Sequence, residues 1–398
     1  MAYIRKKSSG KYQIVVDIGT NPKNGRRMQR TKGGFDSYNK AKKAMVAFEY
    51  EIMNGIEKLH NSTTFRELAD KWLDIYRHEK KISTIRIRKK EIAWLNYYIG
   101  YAKVTDINRS AIQDIWINLK ERGFHKNTIS GIRTCARMIF THAEEEELID
   151  RNPVEKTKVI TDPITIEDLE QKDKKQKYME EHQLKEFLLL VDKDPIAFDD
   201  PTAFNVLAYS GMRLGEMLAL QWKHIDFVEN TISIRQTLYR ENNQLADYHL
   251  LTPKTVKSVR DFTMDQPTMN RLKKHQARQN QYKLASEDYN DLGFVFSHDN
   301  GYPHLIKTFR YRMKKYLSLT DFADQNFTPH SLRHTHVSLM IEYALLNNEN
   351  DMSMQSIMDR VGHSDYRMVF DIYAHTTKKL KEKTSHMFSE HMRRSHEK

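Results

Sequence analysis

The chain has 398 residues, with 65 Lys and Arg against 53 Asp and Glu, a formal charge of +12 and a pI of about 9.3. That length suits two to four domains, and 39% hydrophobic residues with few Gly and Pro predict that most of it folds. No apolar run approaches the roughly 18–20 residues of a membrane span, and the N-terminus lacks the apolar stretch of a secretory signal. The single cysteine, Cys135, has no internal disulfide partner, which fits a reducing cytoplasm. Residues 1–33 carry nine basic residues and one acid, Asp17, and so hold eight of the twelve net positive charges. So concentrated a basic segment predicts a polyanionic partner, nucleic acid before anionic membrane, with a solvated tail as the plain alternative.

Residues 11–34 alternate like strands. Tyr12, Ile14 and Val16 lie two apart, a turn-rich stretch runs from Gly19 to Gly25, and Arg26 to Lys32 forms a second strand. Residues 37–53 read as a helix with Ser37 as N-cap and Ala44, Val46, Ala47, Phe48 and Ile52 as apolar positions. Residues 1–60 are therefore expected to form a small α+β domain with its basic residues on the sheet.

The block 63–153 is helical throughout. Thr64 and Glu67 have the spacing of a capping box, and Phe65, Leu68, Trp72, Ile75 and Tyr76 follow at helical intervals. A second helix starts at Ser83, a third near Asn108 ending at Gly123, and a fourth carries Ile129 to Ala143. Four such helices predict an all-α bundle. Arg86, Arg88 and Lys89 lie near the start of the second helix. Arg133 and Arg137 share a face of the fourth, suited to phosphates or simply to water. Residues 154–177, charged and containing Pro163, read as a linker. Residues 178–398 are mixed and mainly helical: helices at 181–193 and 201–222, strands at Thr231–Leu238 and Ser258–Met264, then helices again.

Four segments of this last block carry chemistry. Tyr209-Ser-Gly-Met-Arg-Leu-Gly-Glu216 places Arg213 near a helix start, where guanidinium and helix end together favour an anion, or where Arg213 simply pairs with Glu216. Thr252-Pro-Lys-Thr255 sets Lys254 between the two strand-like runs, on a hairpin. Thr328-Pro-His-Ser-Leu-Arg-His334 opens a helix at Thr328 and Pro329 and stacks His330 with Arg333 on one face. A metal site of His330, His334 and His336 fits less well, because Ser331 stands where a zincin has its Glu and no Cys pair exists. Val361-Gly-His-Ser364 and Phe370-Asp-Ile-Tyr373 add His363 and Tyr373. A tyrosine with a pKa near 10 is a poor nucleophile unless cations and bases surround it. Two arginines, a lysine and two histidines supply those groups and suit in-line attack on a phosphodiester.

The order Arg213, Lys254, His330-x-x-Arg333, Gly362-His363 and Tyr373 resembles the tyrosine recombinases, or phage integrases. The resemblance implies that residues 1–60 are an arm-type DNA-binding domain, 63–153 a core-binding domain and 178–398 the catalytic domain with a C-terminal tail. It implies that Arg213 and Arg333 clamp the scissile phosphate and that Lys254 acts as general acid. His330 and His363 would assist proton transfer, and Glu216 would support the site. Tyr373 would attack, giving a 3′-phosphotyrosyl link and a free 5′-hydroxyl with neither metal nor any other cofactor. The implied partners are double-stranded DNA at core and arm sites, three further protomers in a tetramer on synapsed DNA, an excision helper and a host DNA-bending protein. The residues expected on DNA are Arg5, Lys6, Lys11, Arg26, Arg27 and Arg30 in the first domain and Arg86, Arg88, Lys89, Arg133 and Arg137 in the second. The three-part layout resembles integrases of temperate phages and integrative elements. A catalytically inactive DNA-binding protein on the same scaffold and a type IB topoisomerase are the alternatives.

Overall fold

The computed structural model of the protein describes residues 2–20, 27–53, 63–163, 165–167, 176, 178–253, 255–347, 354–362, 389 and 392–393. The chain divides into two compact units, Met1–Asp162 and Pro163–Lys398.

The first unit opens with an antiparallel sheet of β1 (Ala2–Lys6), β2 (Tyr12–Thr20) and β3 (Arg27–Phe35), in that order, followed by α1 (Tyr38–Met53). Strand β1 goes beyond the sequence expectation: its five residues include two basic ones, so their alternation is faint. Ser37 caps α1, its hydroxyl accepting from the Lys40 N–H at 3.3 Å. Ile14 and Val16 meet Ala41 and Phe48 in a small core. Val46 and Ala47, expected on the apolar face, are exposed, because the buried stripe runs through 41, 44, 45 and 48.

The basic residues do not share one sheet face. Arg30 pairs with Val16 and Lys32 with Ile14, which puts both on the side that α1 covers. The Lys32 ammonium lies over the Phe48 ring at 5.2 Å. Arg5 pairs with Gln13 and leaves from the opposite face. Lys6 lies over the Tyr12 ring and Lys11 is 3.8 Å from Asp36. Arg27 falls in β3, and Arg26 lies outside the described residues.

Helices α2 (Phe65–Arg77), α3 (Ile82–Ile99), α4 (Arg109–Glu121) and α5 (Lys126–Glu145) form the bundle. The capping box is present, with the Thr64 N–H donating to Glu67 at 2.8 Å and the Glu67 N–H to the Thr64 hydroxyl at 3.3 Å. Phe65, Leu95, Trp116, Ile132 and Phe140 fill the core, whereas Ile75 is exposed. Residues 154–162, expected to open a linker, pack onto this bundle. Val154 is fully buried in its core, the Trp116 indole N–H donates to the Thr157 hydroxyl at 3.1 Å, and the Gln113 side chain makes two bonds to the Lys158 main chain.

Two cations expected on DNA have protein partners. Arg88 forms an ion pair with Glu91, with only 16% of its side chain exposed. Arg133 donates to the Thr157 hydroxyl and the Glu155 carbonyl, both at 3.3 Å, and so pins the 154–162 segment. Lys89 and Arg137 are exposed and Arg86 is half-buried.

The second unit contains α6 (Glu181–Lys193), α7 (Asp200–Ser210), α8 (Leu214–Leu218), α9 (Gln266–Ala285), α10 (Ile306–Leu317), α11 (Pro329–Asn347) and α12 (Met354–Val361). Strands β4 (Ile225–Asp226), β5 (Thr231–Ile234) and β8 (Arg260–Thr263) make one antiparallel sheet. Between β5 and β8 the chain forms a second pair, β6 (Thr237–Tyr239) with β7 (His249–Leu251). Ile232, Ile234 and Phe262 turn into a core shared with Phe187, Phe204, Phe309 and Leu332. The expected helix over 201–222 is broken at Gly211, whose φ of +63° ends α7, its N–H bonding to the Leu207 carbonyl. A Cβ at Gly211 would lie 2.6 Å from the His336 ring, so only glycine allows that approach.

Candidate active site

Arg213 follows the Gly211 break and stands at the N-terminus of α8, a single turn. The anion expected at that helix end is Glu216 itself. The Arg213 N–H donates to Glu216 Oε2 at 3.0 Å, and the guanidinium meets Oε1 at 2.6 Å. The paired and the anion-binding readings of Arg213 therefore coexist, since 31% of its side chain stays exposed while that of Glu216 keeps 1%.

Arg260, at the start of β8, binds the same carboxylate, Nη2 to Oε2, at 3.0 Å. Burial works to raise the Glu216 pKa, but Arg260 and Arg213 outweigh it and hold the carboxyl below its ordinary value. Arg260 is not among the residues that the sequence motifs single out. The signal was there in the alternation Ser258, Arg260, Phe262 and Met264, all four buried, which marks an arginine turned inward.

Arg333, on the first turns of α11, is 1% exposed. It donates to the Gly211 carbonyl at 2.7 Å and the Val361 carbonyl at 2.6 Å. Burial pulls its pKa well below the arginine norm, and Arg213 and Arg260 add to that. The guanidinium is charged at neutral pH all the same. His330, one turn earlier, is exposed, and its pKa is lowered by desolvation first and then by Arg333, Arg213 and Arg310. It is therefore held toward the neutral form, in which one ring nitrogen accepts a proton. At the helix start the Thr328 N–H donates to the Ser331 hydroxyl at 3.1 Å.

The three histidines considered for a metal do not converge. His330 and His334 pack edge to face at 4.7 Å, but His336 turns away. Its Nδ1 bonds the Ala208 carbonyl at 2.9 Å and its Nε2 accepts from Arg360 at 3.3 Å. Among the described residues no group of three or more His, Cys, Asp or Glu is placed to hold a metal ion.

Gly362 joins this set. Its carbonyl accepts from Arg213 at 3.3 Å, and its φ of +68° is one that glycine adopts without strain. Arg213, Glu216, Arg333, His330 and Gly362 thus come from three separate stretches to one place. Lys254, His363 and Tyr373 lie outside the described residues. Arg213, Arg260 and Arg333 against the one carboxylate of Glu216 leave two positive charges. That excess, partly open to solvent at Arg213, is matched to a phosphodiester gaining a second negative charge.

Residues 177–379 match the phage integrase family, 3–52 an arm DNA-binding domain, and 64–120 the N-terminal SAM-like domain of phage integrases. The ICEBs1 integrase of Bacillus subtilis strain 168 is 27% identical over 386 residues, covering 94% of this chain and 95% of that one. The Tn1549 transposon integrase, solved in complex with transposon right end DNA, superposes with a TM-score of 0.64 at 22% identity, over 82% of this chain and all of that one. A lambda integrase tetramer bound to a Holliday junction gives a TM-score of 0.52 at 14% identity, over 91% of this chain and 95% of that one. At these identities the two structures speak for the fold.

Proposed function

The chain belongs to the phage integrase family and is a tyrosine site-specific recombinase, and we propose that Tyr373 is the nucleophile with which it opens a DNA phosphodiester. The observation that supports this most is the convergence of Arg213, Arg333 and His330 beside Gly362, the residue before His363. Both guanidinium groups are bonded to the main chain that leads, eleven residues on, to Tyr373.

In this reading Arg213 and Arg333 neutralise the two non-bridging oxygens as charge builds in the pentacoordinate state. The Tyr373 oxygen forms its bond to phosphorus, and the bond from phosphorus to the 5′ oxygen breaks. The tyrosine proton passes to a histidine, His330 or His363, and the 5′ oxygen takes a proton from Lys254. The product is a 3′-phosphotyrosyl link with a free 5′-hydroxyl. A 5′-hydroxyl from a second strand then reverses the same steps, so the bond energy is retained.

The test is a nicked suicide duplex of the attachment site. Wild-type protein accumulates a covalent adduct and Tyr373→Phe gives none; no adduct from either protein refutes the reading.

The biological role follows from the same family. The protein integrates and excises a mobile element or prophage, in the cytoplasm of a bacterial host, as a tetramer on paired core sites. An excision helper and a DNA-bending host protein assist it. The sheet and α1 bind separate arm sites through phosphate contacts, which makes that binding steeply salt-dependent. Deleting residues 1–60 is expected to spare core-site cleavage and abolish arm-site binding in a mobility-shift titration. Unchanged arm-site affinity would remove this assignment.

A further inference from the structure

Three consecutive main-chain carbonyls at the end of α12 are each taken by a different arginine. Arg260 Nε donates to the Arg360 carbonyl at 2.7 Å, Arg333 to that of Val361 at 2.6 Å and Arg213 to that of Gly362 at 3.3 Å. Carbonyls at a helix C-terminus lack donors within the helix and sit at the negative end of its dipole, so guanidinium groups suit them. Arg333 and Arg213 also have the assignment to phosphate given above. Arg260 has no such assignment, and 6% of its side chain is exposed.

Arg260 uses all three nitrogens of its planar fork. Besides the Arg360 carbonyl, Nη1 donates to the Ser258 carbonyl at 3.0 Å and Nη2 to Glu216 Oε2 at 3.0 Å. One rigid plane therefore joins the entry to β8, the carboxylate that aims Arg213 and the helix end that leads into His363. Gly362 closes the turn directly onto this plane. A Cβ there would lie 3.0 Å from Arg260 Nη1 and 3.2 Å from the Ser258 Cα.

We propose that Arg260 is a positioning residue for DNA cleavage, acting on Arg213 through Glu216. The proposal rests on the reading of Arg213 as a ligand of the scissile phosphate. Without Arg260, Glu216 Oε2 keeps only the Arg213 N–H, and the carboxylate is free to rotate together with the guanidinium it holds. A lysine at 260 keeps a charge near Glu216 but has no fork to reach three acceptors in one plane.

The experiment measures adduct formation on the nicked duplex at the site the wild-type protein cleaves, together with affinity for the unnicked duplex. Arg260→Lys is expected to slow adduct formation by about 10-fold or more while affinity changes less than about threefold, because the loss falls on the transition state. In a Glu216→Gln background the same change is expected to cost less than about twofold more, since residues acting as a unit are not additive. Wild-type rates in Arg260→Lys overturn the proposal, and so do fully multiplicative losses in the double variant. Loss of the cooperative thermal transition in Arg260→Lys overturns it as well, because Arg260 would then be a support of the core. Absence of any adduct from the wild-type protein counts against the nucleophile assignment instead.

Discussion

Arg333 donates to the carbonyl of Val361 across 28 positions of sequence at 2.6 Å, and the same guanidinium reaches back to Gly211 at 2.7 Å. One buried side chain thus bridges the break after α7 and the end of α12. Its charge and its bonding role are separated by a change to lysine.

Arg333→Lys tests that point. Lysine keeps the charge but lacks the fork, so it meets one carbonyl and leaves the other buried without a donor. Adduct formation on the nicked duplex is expected to fall by about 100-fold or more, the scale seen when one preorganised donor to a developing oxyanion is lost. Duplex affinity should hold within a few-fold. A lysine variant that cleaves at the wild-type rate would remove Arg333 from the phosphate clamp.

His336 makes the stability of the catalytic unit depend on pH. Burial, with the Arg360 cation beside it, pushes its pKa down to about 3 from an ordinary 6.5. The folded state therefore refuses a proton that the unfolded state accepts, and stability falls as pH drops below 6.5. Between pH 7 and pH 5 this single group is expected to cost about 2 kcal/mol. In His336→Gln that share of the slope disappears. Denaturation at the two pH values checks it, and parallel slopes for the two proteins would refute it.

The segment after α5 is part of the bundle's stability. A chain ending at 153 loses the buried Val154 and the partner of the Trp116 indole, while one ending at 162 keeps both. The shorter chain is expected to be less stable by about 2–4 kcal/mol, from one buried aliphatic side chain and a buried donor left unpaired. Urea titrations of fragments 1–153 and 1–162, followed by tryptophan fluorescence, measure this. Coincident midpoints would return residues 154–162 to the linker.

Much of this protein was legible in its sequence because periodicity and caps are local. Thr64 with Glu67, Ser37 before α1 and the apolar spacing of α2 to α5 depend on neighbours within a turn or two. The candidate site residues were legible for another reason: their types and order along the chain carry the family resemblance without any knowledge of distance. What escaped were features decided by partners far away in sequence. Strand β1 depends on pairing with β2, the break at Gly211 on the approach of His336, and the burial of Val154 on the bundle it rejoins. In one dimension nothing ties Arg133 to Thr157, and only packing supplies that contact.

The sequence by itself supplied the expectation of three parts and of the candidate set Arg213, Lys254, His330, Arg333, His363 and Tyr373, because helix caps, alternation and reactive groups are properties of short segments. Tertiary structure alone decided that Arg260 shares Glu216 with Arg213, that three arginines hold the three carbonyls ending α12, and that His336 serves packing and not a metal. Those facts are matters of distance and burial between segments up to about 150 residues apart, and a charge reads the same in sequence whether water or a buried carboxylate surrounds it.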